Sequence, residues 1–313
     1  MKGGWPHIPP RVIRLAKLAA FIGVVALLWA SVDIPAALSL LQSADPRWLL
    51  GAAAALTLQT LLSAQRWRVT AAQLGLTIPP RTAIREYYLA QTVNQSLPGG
   101  VLGDASRAMR SRDGAGLLVA GQAVLFERIA GQIGLLVVLA CGLALSLILP
   151  IGVVWPDAMI LPLWLLVFVL VLLPLGALLL HRTDPSRSGP MTTFTRTLVG
   201  PGVAAQQATL SLGTALCNIA AFAFCIAAIG VDIPVLVAVT LIPLILFAMV
   251  LPLSIGGWGL REGAAAVLLP LAGSTASEGV AASVAFGLIF LLATLPGLAL
   301  TWMRPNALVL GPR

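Results

Sequence analysis

Uncharged apolar runs recur along the whole 313-residue chain, separated by short polar or basic segments. Eight of them are candidate membrane spans: Leu18 to Val32, Trp48 to Ala64, Ile129 to Leu149, Ala158 to Leu180, Leu210 to Gly230, Ile233 to Leu253, Gly263 to Ser277 and Gly279 to Met303. At about 1.5 Å per residue most of these reach the roughly 30 Å thickness of a bilayer core, whereas the first and seventh are short and the seventh is expected to begin inside the membrane. Between the second and third runs, Ile84 to Leu97 mixes Tyr87, Tyr88, Leu89 and Val93 with Arg85, Glu86, Gln91, Asn94 and Gln95. That amphipathic pattern predicts an interfacial or partly inserted helix, with Tyr87 and Tyr88 as aromatic interface anchors and Asn94 beside them at the headgroup level. The predicted fold class is an all-α polytopic membrane protein of about eight transmembrane helices, with re-entrant or broken helices in addition. A single transmembrane domain is expected over 1–313, its first half 15–150 and its second 158–304, without a soluble domain.

Composition agrees and narrows the choices. Hydrophobic residues make up 59% of the chain and charged residues 10%, with a mean hydropathy of +0.98. No water-soluble surface can be built from that mixture. The net charge of +8 does not point to nucleic acid, because the Lys and Arg residues sit in short clusters between apolar runs, where membrane orientation accounts for them. Cys141, Cys217 and Cys225 lack metal-site spacing and the histidines are only His7 and His181, so neither metal, disulfide framework nor cofactor is expected. Lys2, Arg11, Arg14 and Lys17 precede the first apolar run, but no small-x-small cleavage site follows, which predicts a first membrane helix rather than a signal peptide. With the N-terminus cytoplasmic, the opposite-side loops carry Asp33, Asp45, Asp157, Asp232 and Glu278 against the single basic Arg47. This positive-inside pattern predicts a multi-pass protein of the cell (inner, cytoplasmic) membrane with both termini cytoplasmic.

Two segments resemble each other: LPGGVLGDASR at residues 97–107 and LPLSIGGWGLRE at residues 251–262. Each has Leu-Pro, a Gly pair (Gly99 and Gly100; Gly256 and Gly257), a further Gly and then Arg107 or Arg261. Matching Gly/Pro breaks in the two halves of a membrane chain point to a binding site at the interface of inverted repeats. A helix that restarts after a break aims unpaired N–H groups and a positive dipole end at it, and Arg107 and Arg261 add charge-assisted donors, so a phosphate is the ligand this chemistry suits. The alternative is that the glycines serve close helix packing and the arginines obey the positive-inside rule.

Glu127-Arg128 and Arg261-Glu262 are ionisable pairs beside apolar runs. Because neighbours on a helix do not face each other, the expected pairing is across helices, Glu127 with Arg261 or Glu262 with Arg107, in a charge network that closes a cavity; plain interfacial exposure is the alternative. Arg110 and Arg112, ahead of a helix stop at Asp113-Gly114, form a short basic helix that suits either a lipid headgroup or a solvated inner face.

The break at Leu97 to Arg107, the Phe126-Glu127-Arg128 element and Pro252 to Glu262 together resemble the transmembrane domain of lysylphosphatidylglycerol synthases, a flippase-like integral membrane family. The resemblance covers roughly residues 10 to 305. It implies a helical domain with re-entrant segments that moves a phospholipid or lipid-linked headgroup between leaflets. It also implies functional roles for Gly99, Gly100, Arg107, Glu127, Arg128, Gly256, Gly257, Arg261 and Glu262. Unlike the full synthases, the sequence has no soluble aminoacyl-transfer domain after residue 303, so lysyl transfer is not expected of it.

Three functions follow as alternatives. The first is a lipid translocase for an anionic headgroup; with no P-loop, it would be ion-coupled, partner-driven or downhill. The second is an accessory or scaffold subunit of a lipid-modifying enzyme. The third is a lipid-phosphate hydrolase, for which only Asp104, Glu127 and Glu262 offer acid/base chemistry. The expected partners are membrane lipids and, under the second reading, a lipid-modifying enzyme.

Overall fold

A computed structural model of the chain describes residues 33–96, 101–112, 115–150, 152–183, 189–200, 202–250 and 257–297. Within these the secondary structure is entirely helical: α1 (Ile34–Gln42), α2 (Pro46–Gln73), α3 (Pro80–Ser96), α4 (Leu102–Arg110), α5 (Gly116–Ile148), α6 (Asp157–Thr183), α7 (Pro190–Val199), α8 (Ala204–Ala228), α9 (Val235–Phe247), α10 (Leu260–Leu268) and α11 (Ala276–Thr294). Short 3₁₀ turns follow α9 (Ala248–Val250) and α10 (Leu269–Ala272). The predicted first span, Leu18 to Val32, lies outside the described residues, as do Gly99, Gly100 and Gly256.

Local chemistry sets the helix ends. Asp33 and Asp45 cap α1 and α2, their carboxylates accepting from Ala36 N (3.0 Å) and Arg47 N (2.8 Å), with proline in the first turn of each helix. Thr275 and Glu278 form a reciprocal capping box on α11. Acidic residues that the charge count assigned to one side of the membrane therefore serve as N-caps. The same end of the bundle is tied by Asp45 N donating to Ala228 O at the end of α8 (2.8 Å) and Val154 N donating to Leu271 O (2.9 Å).

Among the described residues three helices, α5, α8 and α11, are long and apolar enough to cross a membrane, and Asp157–Leu172 and Val235–Phe247 are shorter apolar helices. Two predicted segments take other forms. Gly263 to Ser277 is not one continuous helix: α10 has 9 residues and passes through a 3₁₀ turn to the left-handed Gly273 before α11 begins. Nine residues rise about 14 Å, half a bilayer core. The segment 65–128, expected as an inner loop around one amphipathic helix, is mostly helical: α2 continues to Gln73, and α3 and α4 form a helical hairpin ahead of α5.

The core joins both halves. Ala52 and Leu56 of α2 pack with Phe222 and Ile226 of α8, Leu241 and Ile245 of α9, Ala265 of α10 and Phe286 of α11. The α3–α4 hairpin sits on the far end of α2, around Trp67, Ala71, Ala83, Ala108 and Val124. Its two arms touch at Gly103, where a Cβ would lie 2.0 Å from Ala90 O, and α10 meets α11 at Gly279, where a Cβ would lie 2.5 Å from Ala265 O. Close approaches of this kind admit only glycine and are typical of helix packing in lipid. Many large apolar side chains face outward, Leu118 (75%), Leu161 (68%) and Phe168 (61%) among them. A surface with that much bare hydrocarbon suits lipid rather than water.

Candidate functional site

Along α2, Gln59, Ser63, Arg66 and Thr70 recur at spacings of four, three and four residues, which puts them on one face of an apolar helix. All four are buried. Gln59 Nε2 donates to Ser63, Thr60 Oγ1 donates to Gln91 on α3 (2.9 Å), and Thr70 accepts from Gln207 on α8 (3.0 Å). Arg66 reaches across to α5 and α8. Its Nη2 and Nε donate to Glu127 Oε1 at 2.7 and 3.1 Å, and its Nη1 to Thr214 Oγ1 at 3.2 Å. Gly131, one turn beyond Glu127, leaves the space the guanidinium fills: a Cβ there would lie 2.6 Å from Arg66 Nη2.

Glu127 is fully buried and holds a second arginine. Arg107 of α4 donates to Glu127 Oε2 (3.1 Å) and to Asp104 Oδ1 (3.0 Å), while Tyr87 Oη donates to Glu127 Oε1 (3.2 Å). The Arg107 guanidinium lies 4.5 Å from the ring centroids of both Trp67 and Tyr87. Arg107 is fully buried, yet its Nε and Nη1 have no hydrogen-bond partner, and neither has Trp67 Nε1. Asp104 also pairs with Arg128 and accepts from Asn94 Nδ2 (2.9 Å), whose Oδ1 takes the Gly103 amide (2.8 Å). Three guanidinium groups thus share these two carboxylates, and Arg128, with a side chain 42% exposed, is open to the cavity. Several guanidinium donors beside one cavity suit an anion. On the outer flank Glu86 bridges Arg85 and Arg110.

The second break builds a smaller cluster. Arg261 is buried between α10 and α11; its Nη2 donates to Glu262 Oε1 (2.7 Å), its Nε to Ser283 Oγ (2.8 Å), and its guanidinium faces the Trp258 and Phe286 rings at 5.3 and 5.2 Å. Gly287 makes room for it as Gly131 does for Arg66, since a Cβ would meet Arg261 Nη2 at 2.4 Å. Glu262 Oε2 accepts from the Gly259 amide and so caps α10. Gly257 and Gly259 have φ of 84° and 87°, a region where side-chain-bearing residues are strained, which explains why this restart is written with glycine.

A cavity of about 520 Å³ lies between the two halves. Val101 and Asp104 from the first break and Gly257 from the second share its wall, with Arg66, Tyr87, Glu127 and Arg128. Carboxamides form much of the remainder: Gln59, Gln91, Asn94, Gln95, Gln132 and Asn218. The Gln132 Oε1 acceptor is buried without a partner. Among the described residues, no cluster of His, Cys, Asp and Glu could hold a metal ion.

Several expectations take a different form in this geometry. Glu127 pairs with Arg66 and Arg107 rather than with Arg261, and Glu262 pairs with its own neighbour Arg261 rather than with Arg107. Sequence neighbours meet because Glu262 is in the first turn of α10, where its side chain folds back over the helix start. Both helix restarts are already served from within, by Asn94 at Gly103 and by Glu262 at Gly259, instead of presenting free amides. Arg107 and Arg261 stand behind the cavity wall rather than on it, whereas Glu127, Arg128 and Gly257 are on it. Tyr87 and Tyr88 are not aromatic anchors at a wet interface: Tyr87 lines the cavity, and Tyr88 is 6% exposed. Arg66, Asp104 and, apart from Asn94, the carboxamide wall are not among the binding residues expected from sequence; the four-residue polar stripe on α2 is a signal that marks Arg66 and Gln59.

The chain matches the family model described as the lysylphosphatidylglycerol synthase TM region over residues 14–297, nearly its whole length. No curated protein matches it. Apolar helices, lipid-suited surface and family model agree on a multi-pass membrane protein, and the chain belongs to the lysylphosphatidylglycerol synthase TM region family.

Proposed function

We propose that the chain binds an anionic lipid headgroup in the central cavity and carries it between the leaflets of the cell membrane. One observation carries this reading: residues flanking both Gly-rich breaks line a single cavity together with Arg66 and Arg128. In this reading the α3–α4 and α9–α10 hairpins are re-entrant and enter from opposite faces, an inverted arrangement with both termini cytoplasmic. Irregular backbone at membrane depth is tolerated where it lines a wet cavity, which is where the breaks belong here.

Arg66 and Arg128 face the cavity and supply the headgroup contacts, while Glu127 and Tyr87 beside them on the wall and Arg107 behind it fix their positions. Asp104 and Glu127 pair with all three guanidinium groups. An entering phosphate competes with Asp104 for Arg128, whose side chain is 42% exposed and is the most accessible of the three cations. The carboxamides hydrogen-bond the uncharged part of the headgroup and satisfy Gln132. The hydrocarbon tail stays outside the polar site. This makes the chain a carrier rather than an enzyme, with membrane lipids as its partners and a lipid-modifying enzyme as the source or consumer of its cargo.

The test is leaflet exchange in vesicles of phosphatidylcholine containing a tail-labelled phosphatidylglycerol, read by reduction of outer-leaflet label with dithionite. The expected result is exchange far above protein-free vesicles, lost in Arg66→Gln/Arg128→Gln, with tail-labelled phosphatidylcholine exchanged poorly. Exchange that survives loss of both arginines, or is indifferent to headgroup charge, contradicts the reading.

A further inference from the structure

Helix direction sorts the cavity wall into layers. Asp45 N donates to Ala228 O, and Gln207 donates to Thr70, so α2 and α8 run in opposite directions. The direction of α5 is that of α8: its Ala120 and Val124 pack at the Trp67 end of α2, and its Leu135 and Val138 join the cluster that holds Ala52 and Leu56. Three steps along the wall therefore lead the same way through the cavity: Arg128 to Gln132 on α5, Arg66 to Gln59 on α2, and, on α8, Thr214, the acceptor of Arg66 Nη1, to Asn218. The α5 and α8 steps are single helical turns, about 6 Å of rise. A layer of guanidinium groups is thus followed by a layer of carboxamides, at a separation that suits a phosphate and the hydroxyls of a polyol esterified to it.

The carboxamides differ in what they already hold. Gln59 and Gln91 bond each other and Thr60, while Asn94 holds Asp104 and the Gly103 amide. Gln132 Oε1 is buried without a partner, and the Asn218 side chain bonds no described residue. A carboxamide offers both donors and an acceptor, and a hydroxyl matches it in both senses, whereas an ammonium donates only. The two carboxylates of the wall, Asp104 and Glu127, lie in the guanidinium layer and are paired there with arginines. An ammonium among the carboxamides would leave their N–H groups unmatched and would have no counter-charge in a cavity that already holds Arg66 and Arg128. We infer that the cargo's headgroup is a phosphodiester of an uncharged polyol, and that the cavity discriminates against headgroups carrying an amine even at equal net charge. An aminoacyl ester of the same headgroup is excluded on the same ground. This rests on the headgroup reading of the cavity; what it adds is the chemistry of the cargo beyond its phosphate.

The experiment follows displacement of a tail-labelled phosphatidylglycerol from the full chain in dodecylmaltoside micelles by unlabelled competitors, read by fluorescence anisotropy. Phosphatidylglycerol and phosphatidylserine carry the same net charge at neutral pH, but the second has an ammonium and a carboxylate in place of the diol. Phosphatidylglycerol and phosphatidylinositol are expected to displace the probe at similar concentrations, and phosphatidylserine to need at least about tenfold more. In Gln132→Leu/Asn218→Leu that preference should shrink to within about twofold, while phosphatidylglycerol still outcompetes phosphatidylcholine through the arginines. Phosphatidylserine that displaces the probe from the unsubstituted chain as well as phosphatidylglycerol does overturns the inference and leaves the anionic-headgroup reading standing. A preference that the double variant leaves unchanged overturns it too, because the selectivity then lies outside the carboxamides. Phosphatidylcholine that displaces equally well contradicts the headgroup reading and the inference with it. Glycerol phosphate that matches the lipid supports the polyol site and contradicts a lipid cargo.

Discussion

The clusters around Arg107 and Arg261 use the same parts for different ends. Each buries an arginine completely, stacks it on aromatic rings, pairs it with a glutamate and leaves room for a guanidinium beside a glycine. The Arg261 cluster is local and complete: α10 and α11 supply Glu262 and Ser283, charges balance, and Met249 Sδ lies 3.9 Å from the remaining Nη1. The Arg107 cluster draws on α2, α3, α4 and α5 and leaves Arg107 Nε and Nη1 without partners. Local, neutral and satisfied is the mark of a structural pair. Distributed, charged and incompletely satisfied beside a cavity is the mark of a site that awaits a ligand.

Substitutions can break or sharpen this contrast. The largest expected effect is that of Glu127→Ala, which strands Arg66 and leaves Arg107 with Asp104 alone; removing one partner of a buried ion pair costs about 3–5 kcal/mol, so little folded protein should survive detergent extraction and heating monitored by size-exclusion chromatography. Arg261→Met with Glu262→Gln removes a neutral pair together and keeps an acceptor for Gly259, so thermal unfolding should shift by no more than about 2 kcal/mol, with leaflet exchange retained. Arg128→Gln touches a side chain that is 42% exposed and should change stability by less than about 1 kcal/mol while lowering exchange at least about tenfold. The smallest effect is expected of Gln132→Leu, which removes a buried acceptor that has no partner; stability should stay level or rise by up to about 1 kcal/mol in the same thermal assay.

Hydropathy exposed the long apolar helices, because period and length act locally: Ile129 to Leu149, Leu210 to Gly230 and Gly279 onward lie in α5, α8 and α11. It misread Gly263 to Ser277, where apolar composition resembles a span but the 3₁₀ turn and the left-handed Gly273 break it. The positive-inside rule, which accounts for Arg66 in the sequence and is the alternative to a headgroup role for Arg107, does not foresee that both are buried. A positive-inside rule sees where a cation lies in sequence, not that Glu127, on a helix sixty-one residues away, faces Arg66. The pairing inside each cluster was illegible for the same reason: it depends on which helices the hairpins bring together, and on Glu262 folding back over its own helix start. The Gly-rich breaks were legible as a pair because their chemistry repeats in the chain, and their described flanks, Val101, Asp104 and Gly257, share one cavity.

The most direct test of the difference between the two clusters is leaflet exchange of tail-labelled phosphatidylglycerol, measured side by side for Arg128→Gln and for Arg261→Met/Glu262→Gln at equal reconstituted protein. The account predicts that the first variant loses exchange and the second keeps it. The reverse order, or equal loss in both, would contradict the assignment of the headgroup site to the arginines of the cavity.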